Sequence, residues 1–104
     1  MEFTATLKST WRVRDEFFSV YATPNLYSYG RVGLIVSRKA SLLAVVRNRV
    51  KRQVREAFRR YQEKLAGLDI VVVASSKAGI APAMVLRASL QQLWDKVEQK
   101  CRKS

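Results

Sequence analysis

Residues 16–22 alternate between a more apolar and a more amphipathic set of side chains, which is the pattern of a strand with one buried face. Residues 16–22, EFFSVYA, are rich in aromatic and β-branched residues and predict a strand. Its more apolar set is expected to face the core: Phe18, Val20 and Ala22. The alternate set forms an amphipathic second face: Phe17, Ser19 and Tyr21.

Two further segments predict strands. Residues 31–37, RVGLIVS, follow a connection at 23–30 whose Pro, Asn and Gly are typical of a turn. Because this connection is short, we expect these two strands to pair antiparallel. Residues 68–75, LDIVVVAS, form a continuous apolar run, as in a strand covered on both faces. The pattern leaves open whether this strand runs parallel or antiparallel to its partner.

Helical periodicity covers the rest of the chain. Residues 1–9 predict a short helical turn, and a long basic helix from Ala44 is expected to end near Ala66, with Gly67 just after it. Its apolar side comprises Val46, Val50, Val54, Ala57, Phe58, Tyr61 and Leu65. Pro82 is expected in the first turn of a last helix. The apolar stripe of that helix comprises Val85, Leu86, Leu90, Leu93, Trp94 and Val97.

The composition narrows the class of protein. A chain of 104 residues that is 48% apolar predicts one globular domain over 1–104. Its 20 basic and 8 acidic residues give a net charge of +12, which is typical of proteins that bind nucleic acid or membrane surfaces. No run approaches the roughly 18 apolar residues of a membrane span, and no secretory signal is visible, so we expect a cytoplasmic protein.

Several kinds of chemistry are excluded by composition. The chain has no histidine and only one cysteine, which excludes a Cys/His zinc site, an intramolecular disulfide and a nucleophile activated by histidine. The eight acids are scattered without metal-binding spacing, which disfavours a self-sufficient nuclease. These observations disfavour a protein that carries out metal- or histidine-dependent chemistry by itself.

The basic helix carries the strongest functional signal. Residues 44–60 hold seven Lys/Arg against the single acid Glu56. Like charges at i, i+4 spacing repel, so such a helix is favoured when an apolar face anchors it and a polyanion meets the rest. The candidate RNA-binding residues in this helix are Arg47, Asn48, Arg49, Lys51, Arg52, Arg55 and Arg59.

The run VSRKASLLAVVRNRVKRQVREAFRR, residues 36–60, resembles the protein subunit of bacterial ribonuclease P. That family has a strand ending in Val-Ser-Lys-Lys, then Arg-Asn-Arg-x-Lys-Arg and Arg-Glu-x-Phe-Arg. The resemblance adds Arg38 and Lys39 to the RNA-binding residues and extends over nearly the whole chain. An N-terminal basic segment usual in the family is expected to be missing. Leu42 and Leu43 stand where its loop often has lysines.

The resemblance implies a single small two-layer α+β domain. It would have a short N-terminal helix, a mixed sheet of three to four strands, a long basic helix in a left-handed βαβ crossover, and a C-terminal helix. It also implies an RNA-binding protein cofactor without a catalytic residue or a bound cofactor of its own. The catalytic RNA, using magnesium, removes the 5′ leader of precursor tRNA, and the protein binds both RNAs. Whether the protein indirectly improves the binding of metal ions near Asn48 stays open. The family's leader cleft matches Phe3, Leu7, Ser19 and Tyr21, and Phe17 joins it by its place on the same strand face.

Two other functions are compatible with the charge alone. A general RNA-binding or ribosomal protein would share the charge but not the register of the motif. A membrane-surface protein would need exposed bulky apolar residues on the basic helix, whereas Phe58 and Leu65 are expected in the core. Oligomeric state without RNA is not indicated by the sequence.

Overall fold

A computed structural model describes residues 11–36 and 43–103, the side chains as far as residue 100. Four strands and two long helices make up this part of the chain. The strands are β1 (Trp11–Arg14), β2 (Phe18–Pro24), β3 (Arg31–Ile35) and β4 (Leu68–Ala74). The helices are α1 (Ala44–Tyr61) and α2 (Ala83–Lys103), and a short 3-10 helix at Ser76–Gly79 precedes α2. The predicted turn at residues 1–9 lies outside the described residues.

The first strand, β1, was not predicted. Its sequence WRVR alternates apolar and basic residues, and it pairs antiparallel with β2. Asp15 closes the hairpin, because its Oδ1 accepts the backbone N–H groups of Phe17 at 2.8 Å and Phe18 at 2.9 Å. Ser89 of α2 donates a hydrogen bond to the other carboxylate oxygen of Asp15, which ties the hairpin to the helix layer.

The sheet has the order β1-β2-β4-β3. The expected antiparallel pairing of β2 with β3 is therefore wrong, since β4 lies between them, antiparallel to β2 and parallel to β3. A central position suits β4 because it is the most apolar strand. A central strand is hydrogen-bonded to a neighbour on each side and is therefore shielded from water. The parallel β3–α1–β4 unit confirms the βαβ crossover, while the left-handedness of this crossover stays a prediction.

One face of the sheet packs against both helices. The predicted inward set of β2 is confirmed, since Phe18, Val20 and Ala22 are buried. The helices contribute buried residues to the same cluster: Val50, Val54 and Phe58 from α1, and Leu86, Leu90, Leu93, Trp94 and Val97 from α2. The rings of Phe58 and Trp94 meet edge to face at 6.2 Å, an arrangement that stabilises by about 0.5–1.5 kcal/mol beyond burial. Val85 is exposed rather than part of the stripe.

The end of α1 differs from the prediction. The helix ends at Tyr61, and turns occupy residues 62–67 before β4. Gly67 does adopt a positive φ of 82°, but it does so at the entrance to β4. Gly30 lies against the same connection, where a Cβ would come within 2.6 Å of the Leu65 carbonyl oxygen. The close approach of these two segments requires glycine at position 30.

Candidate nucleic-acid interface

The sheet face turned away from α1 and α2 forms the first candidate surface. Cross-strand partners share a face, so the register assembles it in two rows. One row is Arg12, Tyr21, Val71 and Gly33, and the next is Arg14, Ser19, Val73 and Ile35. We call these eight residues the open face. Both described helices pack on the opposite side, so the register places an apolar floor here with two arginines at one edge.

Tyr21 lies near the middle of the open face and is half-buried. The guanidinium carbon of Arg12 lies 5.7 Å from the centroid of its ring. A cation in this position stabilises the ring's orientation and adds positive charge beside an aromatic surface. The combination of aromatic surface and positive charge is what a single-stranded nucleic acid needs from its binding groove.

The structure divides the predicted cleft residues. Ser19 and Tyr21 lie together on the open face, two positions apart on β2. Phe17 lies just before β2 and is half-buried against the core cluster. Its carbonyl accepts the N–H of Ser75 at 2.8 Å. The other two predicted residues, Phe3 and Leu7, lie outside the described residues.

The outer side of α1 forms the second candidate surface. Asn48, Arg52, Arg55 and Arg59 are exposed, and we call these four residues the basic surface. Within residues 11–36 and 43–100, the three arginines have no carboxylate partner. The helix tolerates this charge because its other side is anchored in the core. Unpaired guanidinium groups on an anchored helix can neutralise phosphates without first breaking an ion pair.

The remaining RNA-binding candidates have different settings. Arg49 donates from Nη2 to the carbonyl oxygens of Gly79, at 3.0 Å, and Ala81, at 3.3 Å. It therefore fixes α1 to the segment before α2, a role that the sequence gave no sign of. Arg47 and Lys51 are half-buried on α1, and Arg38 and Lys39 lie outside the described residues.

A polar cluster lies beside the open face, where β3 and β4 begin. Arg31 and Asp69 form a bidentate pair, with Nε–Oδ1 at 2.7 Å and Nη2–Oδ2 at 2.6 Å. Asn25 donates to the same Oδ1 at 3.0 Å. The hydrogen bond from Arg31, joined by that from Asn25, holds the pKa of Asp69 below its usual value although burial acts the other way. Sequence reasoning missed this cluster because Asp69 lies 44 residues from Asn25 and 38 residues from Arg31 along the chain.

In the described ranges, no group of three or more Cys, Asp or Glu side chains is arranged to hold a metal ion. No described helix is both long and apolar enough to cross a membrane.

Comparison with known proteins identifies the family. The family model of ribonuclease P matches residues 1–98. The ribonuclease P protein component of Marinobacter nauticus is 44% identical over 95 residues, covering 91% of this chain and 71% of that protein. The component from Methylococcus capsulatus is 38% identical over 101 residues, covering 97% of this chain and 79% of that protein.

Solved structures agree in fold. The ribonuclease P protein of Staphylococcus aureus superposes with a TM-score of 0.81 at 29% identity, covering 91% of this chain and 87% of that one. The protein from Thermotoga maritima gives a TM-score of 0.78 at 32% identity, covering 91% and 90%. The sequence motif, the sheet order and these matches point the same way: the chain belongs to the bacterial ribonuclease P protein family, whose members have a role in tRNA processing.

Proposed function

We propose that this chain binds the catalytic RNA of ribonuclease P and the 5′ leader of precursor tRNA through two different surfaces. The basic surface of α1 contacts the catalytic RNA, together with Arg47 and Lys51. The open face holds the single-stranded leader. The observation that carries the proposal is the open face itself: an apolar floor with Tyr21 at its centre and arginines at its edge, on the side away from both described helices.

Contact with the catalytic RNA is mainly electrostatic. Each phosphate that an arginine neutralises releases counterions, so binding is strong at low salt and weakens as salt rises. The net charge of +12 also speeds the encounter with a polyanion. Arg49 acts differently, because its hydrogen bonds to Gly79 and Ala81 hold α1 in place.

Contact with the leader relies on stacking. A base can lie against the ring of Tyr21, while Arg12 and Arg14 stand at the β1 edge, where the phosphates of the same strand can pass. Because every base has an aromatic face, such contacts tolerate any leader sequence. Holding the leader fixes the position of the bond to be cut, which lowers the entropic part of the barrier.

Catalysis is assigned to the RNA. The chain has no histidine, and the described residues include no group of carboxylates arranged to hold a metal ion, which supports this assignment. Magnesium bound by the RNA would activate the attacking water. The protein contributes positioning and charge neutralisation, and we place this work in the cytoplasm.

Cleavage of a precursor tRNA by a bacterial ribonuclease P RNA at low magnesium tests the proposal. We expect accurate 5′ cleavage with the protein present, slow cleavage without it, and none with the protein alone. A general RNA-binding protein would bind both RNAs without stimulating cleavage. That outcome would favour the second candidate, which shares the charge of this chain.

A further inference from the structure

We propose that Tyr27 and Tyr29 form a platform on which a base of the leader stacks after it has left the open face. This inference rests on the proposed function, since it adds a contact to the same single-stranded RNA. Tyr27 and Tyr29 belong to the connection between β2 and β3, which the sequence indicated only as a turn.

The two rings are exposed and already stacked on each other. Their centroids lie 5.2 Å apart with an angle of 26° between the planes. Tyr27 is 48% exposed and Tyr29 is 56% exposed. A stacked pair in a core would be explained by packing, but these rings leave a large aromatic surface in water. Such a surface is what single-stranded RNA uses for stacking.

Neighbouring residues hold the platform in position. The guanidinium carbon of Arg31 lies 4.6 Å from the centroid of the Tyr27 ring, and the bidentate pair with Asp69 fixes Arg31. Asn25 accepts the N–H of Tyr27 at 2.9 Å and donates to the carbonyl of Tyr29 at 3.3 Å. The loop is thus ordered before RNA arrives, which lowers the entropic cost of binding.

The platform continues from the open face. The row Thr23, Asp69 and Arg31 follows the row of Tyr21, Val71 and Gly33 along the strands. The two rows are two residues apart, or about 7 Å. Between them lies a depression of about 240 Å³, lined by residues that include Arg31, Gly33, Asp69 and Val71. A strand that crosses Tyr21 and Gly33 therefore reaches Arg31 and the ring of Tyr27 next.

The chemistry favours a base over other occupants. Arg31 is already paired with Asp69, so the platform offers aromatic surface rather than a free cation for a phosphate. The chain's net charge of +12 attracts a polyanion and repels basic partners. The platform lies where β3 begins, whereas the chain passes to α1 from the opposite end of β3. A leader that enters at the α1 end of β3 would reach the platform only if it is long enough to span the sheet.

The test uses the reconstituted holoenzyme and two precursor tRNAs. One leader is short, about two nucleotides, and the other about ten, a length within the site sizes of compact single-strand-binding domains. For the double variant Tyr27→Ala/Tyr29→Ala, we expect about tenfold weaker binding of the long-leader precursor and unchanged binding of the short one. The double variant Tyr27→Phe/Tyr29→Phe keeps both rings and should bind like the wild type. Leu26→Ala, a fully exposed neighbour, is the matched control.

Each result decides the proposal. Unchanged binding of both precursors by the alanine variant, or an equal loss for both, would overturn the platform. Thermal unfolding of the alanine variant is the control, because an unchanged unfolding temperature shows that an equal loss does not come from a damaged fold. The same binding experiment tests the proposed function separately. If leader binding occurs, the wild type prefers a precursor over mature tRNA, and Tyr21→Ala reduces that preference. If the wild type shows no such preference, leader binding itself fails, and the platform with it.

Discussion

The basic surface of α1 and the open face of the sheet lie on different sides of the β-sheet and differ in the forces they can use. The basic surface presents arginines without carboxylate partners in the described part of the chain. The open face presents Tyr21, Val71 and Val73, with cations only at its β1 edge. Long-range charge is sensitive to salt, whereas stacking is much less so. Under the proposed function, one small domain would therefore bind two RNAs by separate physical means.

The largest effect is expected on the basic surface. Arg52→Ala/Arg55→Ala should weaken binding of the catalytic RNA by about 10- to 100-fold, because two phosphate contacts are lost without loss of the core. Arg87→Ala/Lys96→Ala is the matched control, since it removes two exposed charges from α2. Filter binding measures both. Equal losses in the two variants would show that net charge, and not the surface of α1, determines affinity.

Salt dependence sharpens the same comparison. If about five phosphates are neutralised, log K for the wild type should fall with log salt at a slope of about −3.5 to −4.5. The α1 double variant should reduce the steepness by about 1.5, and Tyr21→Ala should leave it unchanged. A slope near zero in the wild type would contradict the electrostatic account.

The next effect concerns the open face. Tyr21→Ala should weaken binding of precursor tRNA by the holoenzyme about tenfold, whereas Tyr21→Phe keeps the ring and should restore it. Affinity for mature tRNA, which has no leader, should be equal in all three proteins. An equal loss for precursor and mature tRNA would place Tyr21 outside the leader path.

A smaller effect is expected from filling the floor of the open face. A Cβ at Gly33 would have no neighbour closer than 3.9 Å, so Gly33→Leu should fold normally. Its side chain would occupy part of the path beside Tyr21, and we expect precursor binding to weaken by about threefold. Urea unfolding gives the control, because unchanged stability with weaker binding separates obstruction from misfolding.

The smallest effect concerns stability alone. Because pairing with Arg31 lowers the pKa of Asp69 in the folded state, the ionised carboxylate stabilises the fold above the unfolded pKa, and this contribution is lost as the pH falls through the folded pKa. Asp69→Asn should cost about 1–2 kcal/mol at neutral pH and converge with the wild type in acid. Glu16→Gln, in an exposed pair with Lys77 at 3.4 Å, should cost much less. A cost for Asp69→Asn that is the same at every pH would contradict the ion-pair account.

Sequence reasoning succeeded where local pattern decides the outcome. The buried faces of β2 and α1 follow from the spacing of residues such as Phe18, Val20, Val50 and Val54. The parallel pairing of β3 with β4 came only from the family resemblance, because a short connection favours a hairpin. The central place of β4 depends on all strands at once, which local pattern does not contain.

The candidate site was predicted in the same uneven way. The basic residues of α1 and the placement of Tyr21 follow from periodicity and motif. Arg12 beside Tyr21 was missed because β1 has only four residues, although its alternation was a readable signal. The platform at Tyr27 depends on Arg31 and Asp69, which meet only after β3 and β4 have paired.

Site-specific crosslinking tests the central claim most directly. A photo-crosslinking residue would replace Ile35, which is exposed on the open face, and in a second protein Arg59 on the basic surface. In the holoenzyme bound to precursor tRNA, we predict crosslinks from position 35 to the leader and from position 59 to the catalytic RNA. Crosslinks from position 35 to the catalytic RNA, with none to the leader, would contradict the division between the two surfaces.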